Sequence, residues 1–165
     1  CITRNSAPII PGPYLNNYQI VQTPGYVAIK AEVIDTRIIP LDRRPHLGTK
    51  IRQWLGDARG YWEGDTLVVE TTNFSEKVAF RGATERMRLV ERFTRVSPNS
   101  IRYEFTVEDP ETFTRSWTAV NTMSVVDGEI LEYACHEGNE SMATSLSGAR
   151  ASEKAAAEKA QATPR

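Results

Sequence analysis

From Tyr26 onward the chain turns, in stretch after stretch, to hydrophobic residues at every second position, and the stretches are separated by residues that reverse a chain. A period of two belongs to half-buried strands, because successive side chains on a strand point to opposite faces. Val27, Ile29, Ala31 and Val33 share one face, with Lys30 and Glu32 on the other. "TRIIPLD" (36–42) reads as a second short strand, and Pro40, which cannot donate to a ladder, places it at an edge or a bulge. Three hairpins follow. "ARGYWEGDTLVVETTNF" (58–74) turns at Glu63-Gly64-Asp65, and "RMRLVERFTRVSPNSIRYEFTVED" (86–109) turns at Ser97-Pro98-Asn99-Ser100. "FTRSWTAVNTMSVVDGEILEYAC" (113–135) turns at Asp127-Gly128, the strongest short hairpin signal in the chain. About eight sequential strands joined by tight turns describe an antiparallel meander.

A long meander must hide its edges, and closure into a barrel hides them most completely. The expected fold is therefore mainly β: an up-and-down meander closing into a lipocalin-like barrel, with a β-sandwich as the alternative. Residues 1–25 hold Pro8, Pro11, Pro13 and Pro24 and read as an extended arm. The β domain spans 26–140. Within it, 43–57 is the least strand-like stretch, with room for one helical turn from Thr49 to about Gly56. Residues 141–165 are rich in alanine, glutamate and lysine and read as a C-terminal helix and tail, with Met142, Leu146 and Ala149 spaced to dock.

At 165 residues the chain is long enough for one domain with a real core. Twenty basic against twenty-one acidic residues leave a net charge of −1, which gives no field for capturing nucleic acid. No apolar run approaches the roughly 18 residues that a membrane span needs. The chain begins at Cys1, which reads as a processed or trimmed end. Cys1 and Cys135 allow one disulfide, within the chain or between subunits, or else stand as two free thiols.

The alternation also turns charges toward the apolar face. Glu91 lies between Leu89 and Phe93, and Arg115 lies between Phe113 and Trp117. A buried carboxylate needs a partner, so Glu91 and Arg115 are expected to meet inside. They form either a structural ion pair or a ligand-orienting pair in a pocket that Tyr103 and Trp117 also line. Trp54 and Trp62, near Arg52, Asp57 and Arg59, suit either a recognition surface for a sugar or aromatic ligand, or a plug at the barrel's end.

"EYACHEGN" (132–139) gathers one cysteine, one of the two histidines and two carboxylates. Adjacent strand residues face opposite ways, so Cys135 and His136 do not make a nucleophile pair. His136 with Glu137 or Asp57, or His46 with a carboxylate, are the candidates for acid–base chemistry. The plainer reading is a strand-end corner, with Gly138 at positive φ and Asn139 capping the following helix. Two histidines are a thin supply for zinc, so no metal and no other cofactor is expected.

Several strings resemble those of a widespread family of uncharacterised exported bacterial proteins. They are "NNYQIVQTPGYV", "RIIPLDRRPHL", "IRQWLGDARGYWEGDTLVVETTNF", "LVERFTRV", "YEFTVEDPETFTRSWT" and "EYACHEGNESM". The likeness runs over about residues 14–150 in the same order. It implies export to a periplasmic or extracellular setting, and hence the Cys1–Cys135 disulfide. Members of that family carry a further segment before the first cysteine. No activity is assigned to the family, so no catalytic residue carries over.

These observations lead to an expected exported, non-enzymatic β-protein that works by binding. It would act either through self-assembly via residues 1–25 and 141–160, or through a small ligand in the barrel. An extended arm is suited to adding to another sheet's edge. The rival is an acid–base enzyme, a hydrolase, lyase or isomerase acting on a small extracellular substrate through His136 or His46.

Overall fold

The computed structural model describes residues 7–12, 16–32, 36–77, 80–130, 138 and 140–162. In it the 58–74 and 86–109 stretches form the hairpins expected of them, whereas of the 113–135 hairpin only the first strand is formed and residues 131–135 of the second lie outside the described residues. The described strands are β1 (Tyr18–Gln22), β2 (Tyr26–Ala31), β3 (Thr36–Pro40), β4 (Asp57–Glu63), β5 (Thr66–Thr72), β6 (Arg88–Ser97), β7 (Ser100–Glu108) and β8 (Trp117–Ser124). The 58–74 hairpin turns at Gly64, whose φ of +57° costs glycine little. The 86–109 hairpin closes with Ser97 opposite Ser100.

These strands do not form one continuous wall. β1-β2-β3 make a three-stranded antiparallel sheet and β4 to β8 a five-stranded one, each in sequence order. Among the described residues no ladder joins β3 to β4 or closes a barrel, the closure expected from the meander. Pro40 ends β3 without an N–H to donate, and Arg43 with φ +56° turns the chain away. Residues 49–56 are not the helical turn expected of them. Gln53 instead bridges to the end of the β5 hairpin, taking the Ser75 N–H on its carbonyl at 2.9 Å and donating its own N–H to the Asn73 carbonyl at 2.9 Å.

The arm also differs from expectation. It contains β1, which pairs with β2 from Tyr18↔Ala31 to Gln22↔Val27 across the Pro24-Gly25 turn. Ala7 and Ile9, further back in the arm, are buried in the chain's own core. The two sheets share that core. Val27, Ile29 and Ile39 from one pack with Leu67, Val69, Leu89, Phe93, Tyr103 and Phe105 from the other. Gly60 of β4 lets the sheets approach, since a Cβ there would stand 2.8 Å from both Ile39 Cγ2 and Leu41 Cδ2.

Past β7, buried Asp109 ties down the loop before β6. It accepts hydrogen bonds from the Thr84 and Glu111 N–H groups and from the Thr84 and Thr112 hydroxyls. Burial alone would raise its pKa, but these donors, Thr84 N–H and Glu111 N–H foremost, hold it below the ordinary aspartate value.

The outer face of the larger sheet is a solvated lattice. Arg88 pairs with Glu70 and Glu108, Arg92 with Glu63, and Thr66 and Thr106 meet Thr94 and Thr118 across strands. Such exposed pairs contribute little each. The chain divides into a β unit, Ile2–Glu132, and a second unit that includes Tyr133–Arg165. In the latter, α1 (Ser141–Ala162) begins where the alanine-rich pattern begins, with Met142 and Leu146 exposed. No described helix is long and apolar enough to cross a membrane.

Candidate functional site

The inward carboxylate predicted on β6 is present. Glu91 is fully buried, opposite Val69 of β5 and Phe105 of β7. Its diagonal neighbours on the same face are Thr71 and Tyr103, within reach of a longer side chain. Its ionic partner is Arg37 of β3, which crosses from the other sheet. Arg37 Nη1 donates to Glu91 Oε1 at 3.0 Å and Nη2 to Oε2 at 2.5 Å, a bidentate fork. Nη2 also lies 3.4 Å from Thr71 Oγ1. The Tyr103 hydroxyl donates to Glu91 Oε1 at 2.8 Å and accepts the Ile9 N–H at 2.9 Å.

Burial works against the charge on Arg37, but the adjacent Glu91 carboxylate outweighs it and holds the guanidinium charged. Burial, and then the Glu91 charge, push the Tyr103 phenol well above its usual range, which keeps it a donor. The expected Glu91–Arg115 pair is not formed. Arg115 is exposed on the bend before β8, because the turn that starts at Asp109-Pro110 runs on to residue 116 and takes it off the strand. Trp117 packs against Phe80, Phe105 and Phe113, with ring centroids 5.7–6.1 Å apart. This interior is filled by side chains that bind one another. It joins two sheets and the arm.

A second cluster sits where β4 begins. The buried Asp57 carboxylate accepts the Leu47 N–H at 2.8 Å, meets His46 Nδ1 at 3.1 Å and takes Arg59 Nη1 at 2.5 Å. Arg59 Nε donates to the Pro45 carbonyl, and Asn73 Nδ2 donates to that of Leu47. Two of the residues named for acid–base work, His46 and Asp57, are thus together. The same bonds also pin the 45–48 loop onto the sheet. His136 and Glu137, the other acid–base candidates, lie outside the described residues, as do Cys1 and Cys135. Among the described residues no group of three or more His, Cys, Asp or Glu side chains is placed to hold a metal.

The two remaining tryptophans part company. Trp54 is half-buried, and its Nε1 has no hydrogen-bond partner among the described residues. Trp62 pairs with Leu67, so it is the last residue of the inner-face row of β4, and it is 40% exposed. It lines a shallow, open groove of about 640 Å³ together with Gln22, Gly64, Asp65, Arg95, Val96 and Ser97. A register shift between Arg95 and Ser97 leaves Val96, also on the groove, 57% exposed. Arg95 is braced by its own turn, donating from Nε to the Ser97 carbonyl and from Nη2 to the Pro98 carbonyl.

Comparison with models of known protein families, with curated proteins and with solved structures finds no match. The site rests on its geometry alone.

Trp62 is legible in the sequence as an exposed aromatic beside a turn. Gln22, Asp65 and Arg95 were missed as its companions. Each sits at a strand end or in a turn, and only the register of two separate sheets brings them together.

Proposed function

We propose that the protein is an exported, non-enzymatic β-protein that works by binding a small ligand at the Trp62 groove. The observation that carries this reading is a half-exposed indole at the end of β4, with charged and amide groups around an open groove of about 640 Å³. In ligand sites apolar and aromatic side chains supply contact and a few polar groups supply orientation. The family resemblance of the motifs is what supports export.

Self-assembly has narrower support. Val21, Ala28 and Ile38 form one apolar row across the outer face of the small sheet, but Ala7 and Ile9 of the arm are consumed in the chain's own core. A thermal-shift screen of small polar metabolites tests the ligand reading. Compounds that raise the melting temperature should fail to do so in Trp62→Ala. A shift of equal size in that variant would remove the groove as the site.

The His46–Asp57 contact favours a second reading, a histidine base oriented by a carboxylate. Asp57 would hold the Nδ1–H tautomer and leave Nε2 as the base. Turnover of a panel of chromogenic esters, lost in His46→Gln and retained in Trp62→Ala, is the result this reading expects. Equal rates for wild type and His46→Gln would dismiss it.

A further inference from the structure

We infer that the ligand of the Trp62 groove is a neutral saccharide chain laid across the indole. This inference rests on the groove reading above and adds the chemical class.

Charge comes first. The groove holds one carboxylate, Asp65, and one guanidinium, Arg95, with Gln22 and Ser97 neutral. The two charges cancel, so the groove exerts no net pull on an ion and gives a charged ligand no long-range advantage.

The hydrogen-bonding inventory is the second argument. Among the described residues the Gln22 amide and the Asp65 carboxylate have no hydrogen-bond or ionic partner. Gln22 supplies both donors and an acceptor, and Asp65 supplies acceptors only. Arg95 supplies the N–H groups that remain after Nε and Nη2 are braced by Ser97 and Pro98. The Ser97 hydroxyl accepts the Asn99 N–H and keeps its own hydrogen to donate. Mixed donors and acceptors at several points match a ligand rich in hydroxyls, since each hydroxyl both gives and accepts.

Shape decides the rest. An indole presents a flat apolar face, which suits the C–H face of a sugar ring as readily as an aromatic ring. The groove is open, so a compact ligand would leave much of its surface in water. An extended ligand gains contact by running along it, which favours a chain over a single sugar. Trp62 and Val96 are the apolar residues that line it, and Gln22, Asp65 and Arg95 supply the polar contacts.

The test is titration of the full chain with malto- and cello-oligosaccharides, from monosaccharide to hexasaccharide, followed by tryptophan fluorescence and calorimetry. Phenylalanine and benzoate serve as zwitterionic and anionic aromatic comparisons. The expected result is saccharide binding that tightens at least about tenfold with chain length and weakens about tenfold or more in Trp62→Ala. Asp65→Asn, on an exposed turn, should weaken it too and gives a second variant in which folding is not at stake. Saccharides that stay silent while phenylalanine or benzoate bind in a Trp62-dependent way would overturn the saccharide assignment and leave the groove reading standing. Saccharide binding indifferent to Trp62 would overturn the assignment as well. Silence of every probe, with both variants folded, would overturn both.

Discussion

Glu91→Ala is expected to destabilise the fold by about 3–5 kcal/mol, the cost of stranding a buried charge. Arg37 and Glu91 are 3% and 0% exposed, so neither can recover solvation when its partner is removed. The variant leaves a guanidinium between two sheets and strips the Tyr103 hydroxyl of its acceptor. The double variant Arg37→Met/Glu91→Leu keeps volume and removes both charges. It should be less destabilised than Glu91→Ala, because a buried ion pair returns little beyond its own desolvation cost. Tyr103→Phe isolates the third member and should cost about 1–3 kcal/mol, since it leaves the Ile9 N–H buried without its acceptor. Chemical denaturation of the set measures all three. A loss below about 1 kcal/mol for Glu91→Ala would mean that the pair is not sealed from water, because changes of that size are ordinary for unremarkable sites.

The same network shows what the sequence discloses and what it withholds. Glu91 is legible as an inward charge because Leu89 and Phe93 fix the phase of β6 on both sides of it. Arg37 is not, because Ile38 and Ile39 are both apolar and leave the phase of "TRIIP" open. The structure resolves it by burying Ile39 and exposing Ile38, which turns Arg37 inward beside Ile39. Arg115 misleads for a related reason: its apparent alternation with Phe113 and Trp117 runs through a turn, where period two carries no meaning. β1 escapes notice because it is five residues long and sits among prolines and asparagines, although Tyr18 and Ile20 alternate ahead of the Pro24-Gly25 turn. The hairpins at Gly64 and at Ser97–Ser100 are local, and local chemistry is enough to place them. The division into two sheets and the pairing of His46 with Asp57 are not local. They depend on which strand declines to pair across residues 41–56.

Glycine substitutions at three positions should separate strain from crowding, with Gly56→Ala the most damaging. Gly56 has φ +71°, and an added Cβ would stand 2.6 Å from Thr71 Cγ2, 2.8 Å from the Thr72 carbonyl oxygen and 2.9 Å from Phe74. A left-handed residue with a Cβ costs about 1–2 kcal/mol, and forcing an atom into packed surroundings adds about 1–3, so the expected loss is about 2–5 kcal/mol. The contact with a backbone oxygen matters most, because the β5 ladder cannot move aside as a side chain can. Gly64 has a similar φ of +57° but open space where a Cβ would go, so Gly64→Ala should show the conformational cost alone, about 1 kcal/mol. Gly60 is the converse case, with no positive φ and two contacts at 2.8 Å, one to the branch methyl of Ile39 and one to the end of the Leu41 side chain. Gly60→Ala should fall between the other two, since Leu41 Cδ2 can rotate aside at a cost of about 1 kcal/mol whereas Ile39 Cγ2, fixed on a branched and buried Cβ, yields only if β3 shifts. It should also loosen the approach of β3 to β4, and with it the reach of Arg37 to Glu91. Hydrogen exchange at the β3 and β6 amides reads that loosening directly. Protection unchanged in Gly60→Ala, with stability lost, would show that the two sheets are held together without this close approach.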